Sequence, residues 1–268
     1  MLEYIPQDNF FIPFDESVAA YSLPEKFTYP FAYKPHALAL LASEKLQQHL
    51  RHQQDWQHNF GLVGEQQGPI IGKMFGVLVV ESAQHELGYL AAFSGKLAGG
   101  YHQPKFVPPV FDGLTEGSFL NTGMRELTRI NQEIGVLETV NTRESRAHIE
   151  QLLQLRKTNS VALQKKLFDQ FYFLNQAGEE KSLRSLFGHS ANPPAGAGEC
   201  AAPKLLQFAF QHNLKPIALA EFWWGLSPKS ANWKHGHFYP ACQEKCQPIL
   251  AYMLQGIAMD EKPEQSHH

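Results

Sequence analysis

The chain has 268 residues, 43% of them hydrophobic and 18% charged, a composition that builds a globular fold with a sizeable core and excludes a disordered segment. Its formal net charge of −3 excludes a free-standing, non-specific nucleic-acid binder, so any RNA contact must come from a local patch or from another module. No apolar run approaches the roughly 18 residues of a membrane span, and the start, Met1-Leu-Glu-Tyr-Ile-Pro6, has no basic or apolar signal region, so a cytoplasmic protein with no membrane partner is expected.

The first 35 residues are rich in proline and aromatics (Pro6, Phe10, Phe11, Pro13, Phe14, then Phe27-Thr-Tyr-Pro-Phe-Ala-Tyr33), which predicts an extended aromatic arm packed on a core. Region 36–115 opens with helical spacing of Leu38, Leu41, Leu46 and Leu50 up to about Trp56. Two apolar runs follow, Gly72-Lys-Met-Phe-Gly-Val-Leu-Val-Val-Glu81 and Leu87-Gly-Tyr-Leu-Ala-Ala-Phe-Ser-Gly95, separated by a polar break. They predict a β-hairpin, and their continuous apolar character predicts cover on both faces.

Region 116–190 reads as a long helical insertion. Leu127, Ile130, Ile134 and Leu137, then Ile149, Leu152 and Leu153, then Leu163, Leu167, Phe171 and Leu174 keep helical spacing to about residue 174. Arg143, Arg146, Arg156, Lys157, Lys165 and Lys166 decorate it as a candidate RNA-binding patch; Glu138, Glu144 and Glu150 interleave, as on a solvated face. Region 191–268 starts with the loop Asn192-Pro-Pro-Ala-Gly-Ala-Gly198 and continues as a helix over 200–211, a strand over 217–225 and a helix over about 241–254.

All three cysteines fall after residue 199, an odd number that does not make a disulfide framework. Cys200 enters a helix whose first turn carries Pro203, where the helix dipole favours a thiolate. Cys242 and Cys246, in Pro240-Ala-Cys-Gln-Glu-Lys-Cys, face one way if helical. Zinc takes thiolates and imidazoles in a tetrahedron, so Cys200, Cys242 and Cys246 are the candidate ligands, with His237 or His235 as the fourth; inert buried thiols are the alternative.

The order of hairpin, helix, strand and helix, with cysteines at both helix starts, resembles the cytidine-deaminase fold. The resemblance implies an α/β domain with a mixed sheet flanked by helices, and a zinc-dependent hydrolase or deaminase acting on a nucleobase or nucleoside. The family's catalytic Glu stands two positions after the first ligand, where this chain has Ala202. Its cysteine pair is also one residue closer. Glu199 is the nearest carboxylate, either a proton carrier or a cap on its own helix.

A second resemblance spans nearly the whole chain. Phe27-Thr-Tyr-Pro-Phe, the two hairpin runs, Phe106-Val-Pro-Pro-Val, Pro193-Pro-Ala-Gly-Ala-Gly-Glu-Cys-Ala-Ala-Pro-Lys-Leu-Leu206, Ala220-Glu-Phe-Trp-Trp-Gly and His237-Phe-Tyr-Pro-Ala-Cys242 are similar to the long N-terminal region of bacterial RluA-type pseudouridine synthases. That implies an accessory module that recognises structured RNA (ribosomal or transfer RNA) for a covalently linked C-terminal isomerase domain. The R-L-D-type motif with the family's catalytic Asp is absent from these residues, so no catalytic residue carries over and the chain reads as the N-terminal module alone. Pairing of the helical insertions into a homodimer is a third reading.

Overall fold

The computed structural model describes residues 10–14, 18–64, 67–140, 142–188, 192–229 and 231–261. In chain order the elements are β1 (Ile12–Pro13), α1 (Ala37–His52), β2 (Lys73–Glu81), β3 (Leu87–Phe93), α2 (Phe119–Val140), α3 (Arg143–Phe168), β4 (Tyr172–Leu174), β5 (Glu180–Ser182), α4 (Leu183–Leu186), α5 (Ala201–Gln211), β6 (Lys215–Trp224) and α6 (Gln243–Met253).

The expected hairpin forms, with Phe75 opposite Phe93 and Glu81 opposite Leu87. β2 lies inside a four-stranded sheet ordered β1-β3-β2-β6. Its alternate residues go to opposite faces, as strand geometry demands. Leu78 and Val80 join Leu90, Ala92 and Leu219 in a core capped by α5 and α6. Phe75, Val77 and Val79 join Ala91, Phe93, Ala220 and Phe222 beneath Leu38, Ala42 and Leu46 of α1. Cover on both faces is why the run reads as continuously apolar.

The expectation of a mixed sheet is corrected. The described strand pairings are all antiparallel, and parallel contact is confined to the isolated bridges Ala91–Phe106 and Phe27–Met259. The cause is the long excursion after β3. It returns the chain at Lys215, opposite Glu81 at the far end of β2, so β6 runs against its neighbour.

α2 and α3 make an antiparallel helical hairpin. Leu120, Gly123, Leu127, Ile130, Ile134 and Leu137 of α2, and Ser145, Ile149, Leu152, Arg156, Asn159 and Leu163 of α3, recur at alternating steps of three and four. That is the seam of a two-helix coiled coil. Its small cluster, Ile130, Ile134 and Leu152 with Leu137 and Ile149, is separate from the two cores above. Gly123 permits the close approach: a Cβ there would meet Leu163 at 2.6 Å. Thr142 and Ser145 form a reciprocal capping box at the start of α3. The base of the hairpin reaches the body through Phe119, stacked on Phe111, and through Phe168, buried in the main core.

Helical spacing overran the end of α3. The chain leaves the helix at Asp169, and Phe173 and Leu174 pair with β5 instead. Asn175 and Gly178, the latter with φ 77°, close that turn. Of the N-terminal segment, Phe10 meets Phe208 edge-on, β1 pairs with β3, and Phe14 lies against Tyr89. Residues 1–9 and 15–17 lie outside the described residues.

Candidate functional site

The loop into α5 turns on two left-handed glycines, Gly196 (φ 76°) and Gly198 (φ 89°). A Cβ on Gly198 would sit 2.8 Å from the Phe171 ring, so the turn requires glycine on both counts. Cys200 then becomes the N-cap of α5, in extended conformation and with no side-chain cap bond. Cys242 holds the same place on α6, again with no side-chain cap bond. Cys246 follows one turn later, its N–H donating to Cys242 O at 3.0 Å.

The structure brings Cys200 and Cys246 side by side, with Cys242 exposed on the neighbouring helix cap. Cys246 is 1% exposed and its thiol lies beside that of Cys200. Interaction with the Cys200 thiol, then burial, then the nearby Cys200, Glu221 and Cys242 charges push the Cys246 thiol up from its ordinary pKa. Cys200 is half-buried, Cys242 is exposed at the rim, and all three thiols are free.

Glu221 is the residue that sequence reasoning missed. It sits on β6, 4% exposed, and its Oε1 accepts a hydrogen bond of 3.2 Å from the Ala202 N–H in the first turn of α5. Burial raises its pKa to about 7, against the lowering effect of that bond. Its own N–H donates to the Tyr33 hydroxyl at 2.9 Å, which in turn donates to Tyr239 O. Burial and the Glu221 charge raise the Tyr33 phenol in turn. The sequence signal was one acidic residue inside the apolar run Ile217-Ala-Leu-Ala-Glu-Phe-Trp-Trp224.

Glu199 does not cap α5, since Cys200 takes that position. Its Oε1 accepts from Tyr101 OH at 3.2 Å, and its charge acts on Lys73 and Lys204. Lys204 is 2% exposed, four residues beyond Cys200, and its Nζ donates to Phe93 O (2.8 Å) and Gly95 O (3.1 Å). Burial lowers its pKa to about 8, partly offset by Glu199 and Cys200. These bonds pin the exit of β3 to the start of α5, which holds Cys200 in place.

The histidines stand apart from the thiols. His235 Nδ1 accepts from Gly225 N at 3.1 Å, and its ring lies 4.2 Å from Trp224. His237 is exposed, and its backbone O accepts from Trp223 N. Among the described residues, no three His, Cys, Asp or Glu side chains are arranged to hold a metal ion. The donor chemistry nevertheless suits a thiophilic ion: two thiols in contact and a third on the adjoining helix cap.

The candidate RNA-binding residues do not share one face. At ~100° per residue, Arg143, Arg146, Lys157 and Lys165 fall on the outward arc of α3. Arg156 lies on the seam facing α2, half-buried, with Nε closed off and unpartnered, and Lys166 points to the side. Comparison with protein-family models, with curated proteins and with solved structures finds no match.

Proposed function

We propose that the chain is the RNA-recognition module of an RluA-type pseudouridine synthase, built on a deaminase-like core in which Cys200, Cys242 and Cys246 hold a structural zinc. The observation that carries the RNA role is the hairpin α2–α3, which packs along its length on itself and turns Arg143, Arg146, Lys157 and Lys165 outward. A cationic edge on a slightly acidic body supplies a local phosphate-tracking surface without general stickiness. Structured ribosomal or transfer RNA is the partner this suits, with the isomerase domain supplying the chemistry. Zinc, when bound, would tie α5 to α6 and fix the loop that carries Cys200.

Reversing Arg143, Arg146, Lys157 and Lys165 to Glu is expected to weaken binding to a structured RNA and to flatten its salt dependence. Each phosphate left without its cation reduces the slope by about 0.7–0.9. Filter binding at several salt concentrations reads this. An unchanged slope places RNA elsewhere on the protein or removes it as a partner.

A second reading, hydrolysis at a nucleobase, is favoured by Glu221. The fold resemblance puts the proton-carrying carboxylate at Ala202, and the Glu221 carboxylate reaches that spot from β6. On this reading Glu221, rather than Glu199, takes and returns the proton. Deamination of cytidine or adenosine that disappears in Glu221→Gln and persists in Glu199→Gln would promote it over the first.

A further inference from the structure

A cavity of about 860 Å³ opens at the end of α1, on the sheet face opposite the cysteines. That volume is in the range of small-molecule sites. Trp56 and Phe60 show their edges to it, Trp224 lies behind the Arg51 guanidinium, Gln54 and Gln57 add amides, and Arg51 adds a charge.

Among the described residues the charge at this cavity is positive. Among its described lining residues there is no Asp or Glu, and Arg51 forms no ion pair among the described residues. Instead its guanidinium lies 5.4 Å over the Trp224 ring. The neighbouring His235 is occupied at Nδ1 by Gly225, and burial and then Arg51 lower its pKa. His58, also on the wall, is bonded at both nitrogens, to Ile71 O and Ala98 N, and burial lowers its pKa. Arg51 is thus the fixed cation of the site.

The amides are available as well. Gln54 and Gln57 make no side-chain hydrogen bond among the described residues, whereas Gln53 is taken up by Trp56 N and O. Aromatic edges suit a flat ring, amides without a side-chain bond among the described residues suit its hydrogen-bonding edge, and a guanidinium without an ion pair among them suits a phosphate. A neutral sugar would leave Arg51 unmatched.

We propose that this cavity binds a nucleotide, free or within an RNA strand. The base lies against the exposed edges of Trp56 and Phe60, its edge meets Gln54 and Gln57, and its phosphate meets Arg51, whose guanidinium sits over Trp224. The inference goes beyond the thiol site and the helical hairpin and stands without either.

Calorimetric titration of the whole chain with the common nucleoside 5′-monophosphates, the matching nucleosides, ribose 5-phosphate and a short single-stranded RNA tests it. At least one monophosphate should bind, with ribose 5-phosphate weaker by roughly tenfold or more. Arg51→Gln, at an exposed side chain, should weaken the monophosphate about tenfold and leave the nucleoside unchanged, and Gln54→Leu should weaken both. Tighter binding of RNA than of any monophosphate assigns the strand as the source, and the reverse order assigns the free nucleotide. Binding of neither overturns the proposal, as does ribose 5-phosphate binding as well as the nucleotides, or indifference to Arg51→Gln. Cys242→Ser should leave these titrations unchanged, so failure here is separable from failure of the thiol site.

Discussion

Glu221→Gln is expected to stabilise the metal-free protein at pH 8 and to do little at pH 5. Glu221 is 4% exposed, with a pKa raised by burial from the ordinary 4.5 to about 7. Below about pH 4.5 the carboxyl is protonated in both folded and unfolded chains, and its burial carries no ionisation cost. Between 4.5 and 7 the unfolded chain releases the proton while the folded one keeps it, so stability falls as pH rises. Above 7 the loss is complete, roughly 3 kcal/mol for a shift of this size. Glutamine keeps the volume and can still accept from Ala202 N–H, but it does not titrate. Thermal melts of both proteins across pH 5–8, with chelator present, isolate the effect as the difference between them. An equal difference at both ends of the range would mean that Glu221 is not a strained carboxylate. A carboxylate kept at this cost beside three thiols is what a functional site would retain.

Phe75→Ala should cost about 3–5 kcal/mol, the usual loss for emptying a buried phenylalanine site. Phe75 is fully buried, and its ring packs near Phe60, Phe93, Phe106 and Phe222 at 5.7–6.5 Å. It faces α1, away from the cysteines, because it alternates with Gly76, over which α5 packs through Ala201 and Leu205. Denaturant unfolding should therefore show a lower midpoint, while the reactivity of Cys200 in the folded protein stays at the wild-type rate. Altered thiol reactivity at native conditions would show that the two cores are coupled more tightly than the sheet geometry implies.

The helix α1 was legible because the period of its leucines matches the face it buries, and the hairpin β2–β3 because two short apolar runs flank a polar break. α5 illustrates the limit of that reading. Residues 201–209 are all buried, Lys204 and Gln207 included, because the sheet, α6 and β4 surround it. Nothing in the sequence assigns Lys204 Nζ to the carbonyls of Phe93 and Gly95, over a hundred residues away. Cys200 and Cys246 come together because two adjacent helix starts converge once α5 and α6 pack, but the three thiols form no metal-holding group among the described residues. Glu221 was not legible, because a lone carboxylate in an apolar strand marks a buried charge but not its neighbour. The seam position of Arg156 could have been read from its place between Leu152 and Leu163. The cavity by Trp56 was hidden because its walls come from a helix end, a loop and the last residue of β6.

Metal analysis of the chain purified without chelator tests most directly whether the two helix starts hold one metal through three thiols. About one zinc per chain is expected, because three thiolates supply a single tetrahedral site. Cys200→Ser, Cys242→Ser and Cys246→Ser should each lose most of it, and the wild type should melt at lower temperature once chelated. Wild-type protein free of stoichiometric metal, or metal content and melting temperature unaltered in all three variants, would contradict a zinc site built from these thiols.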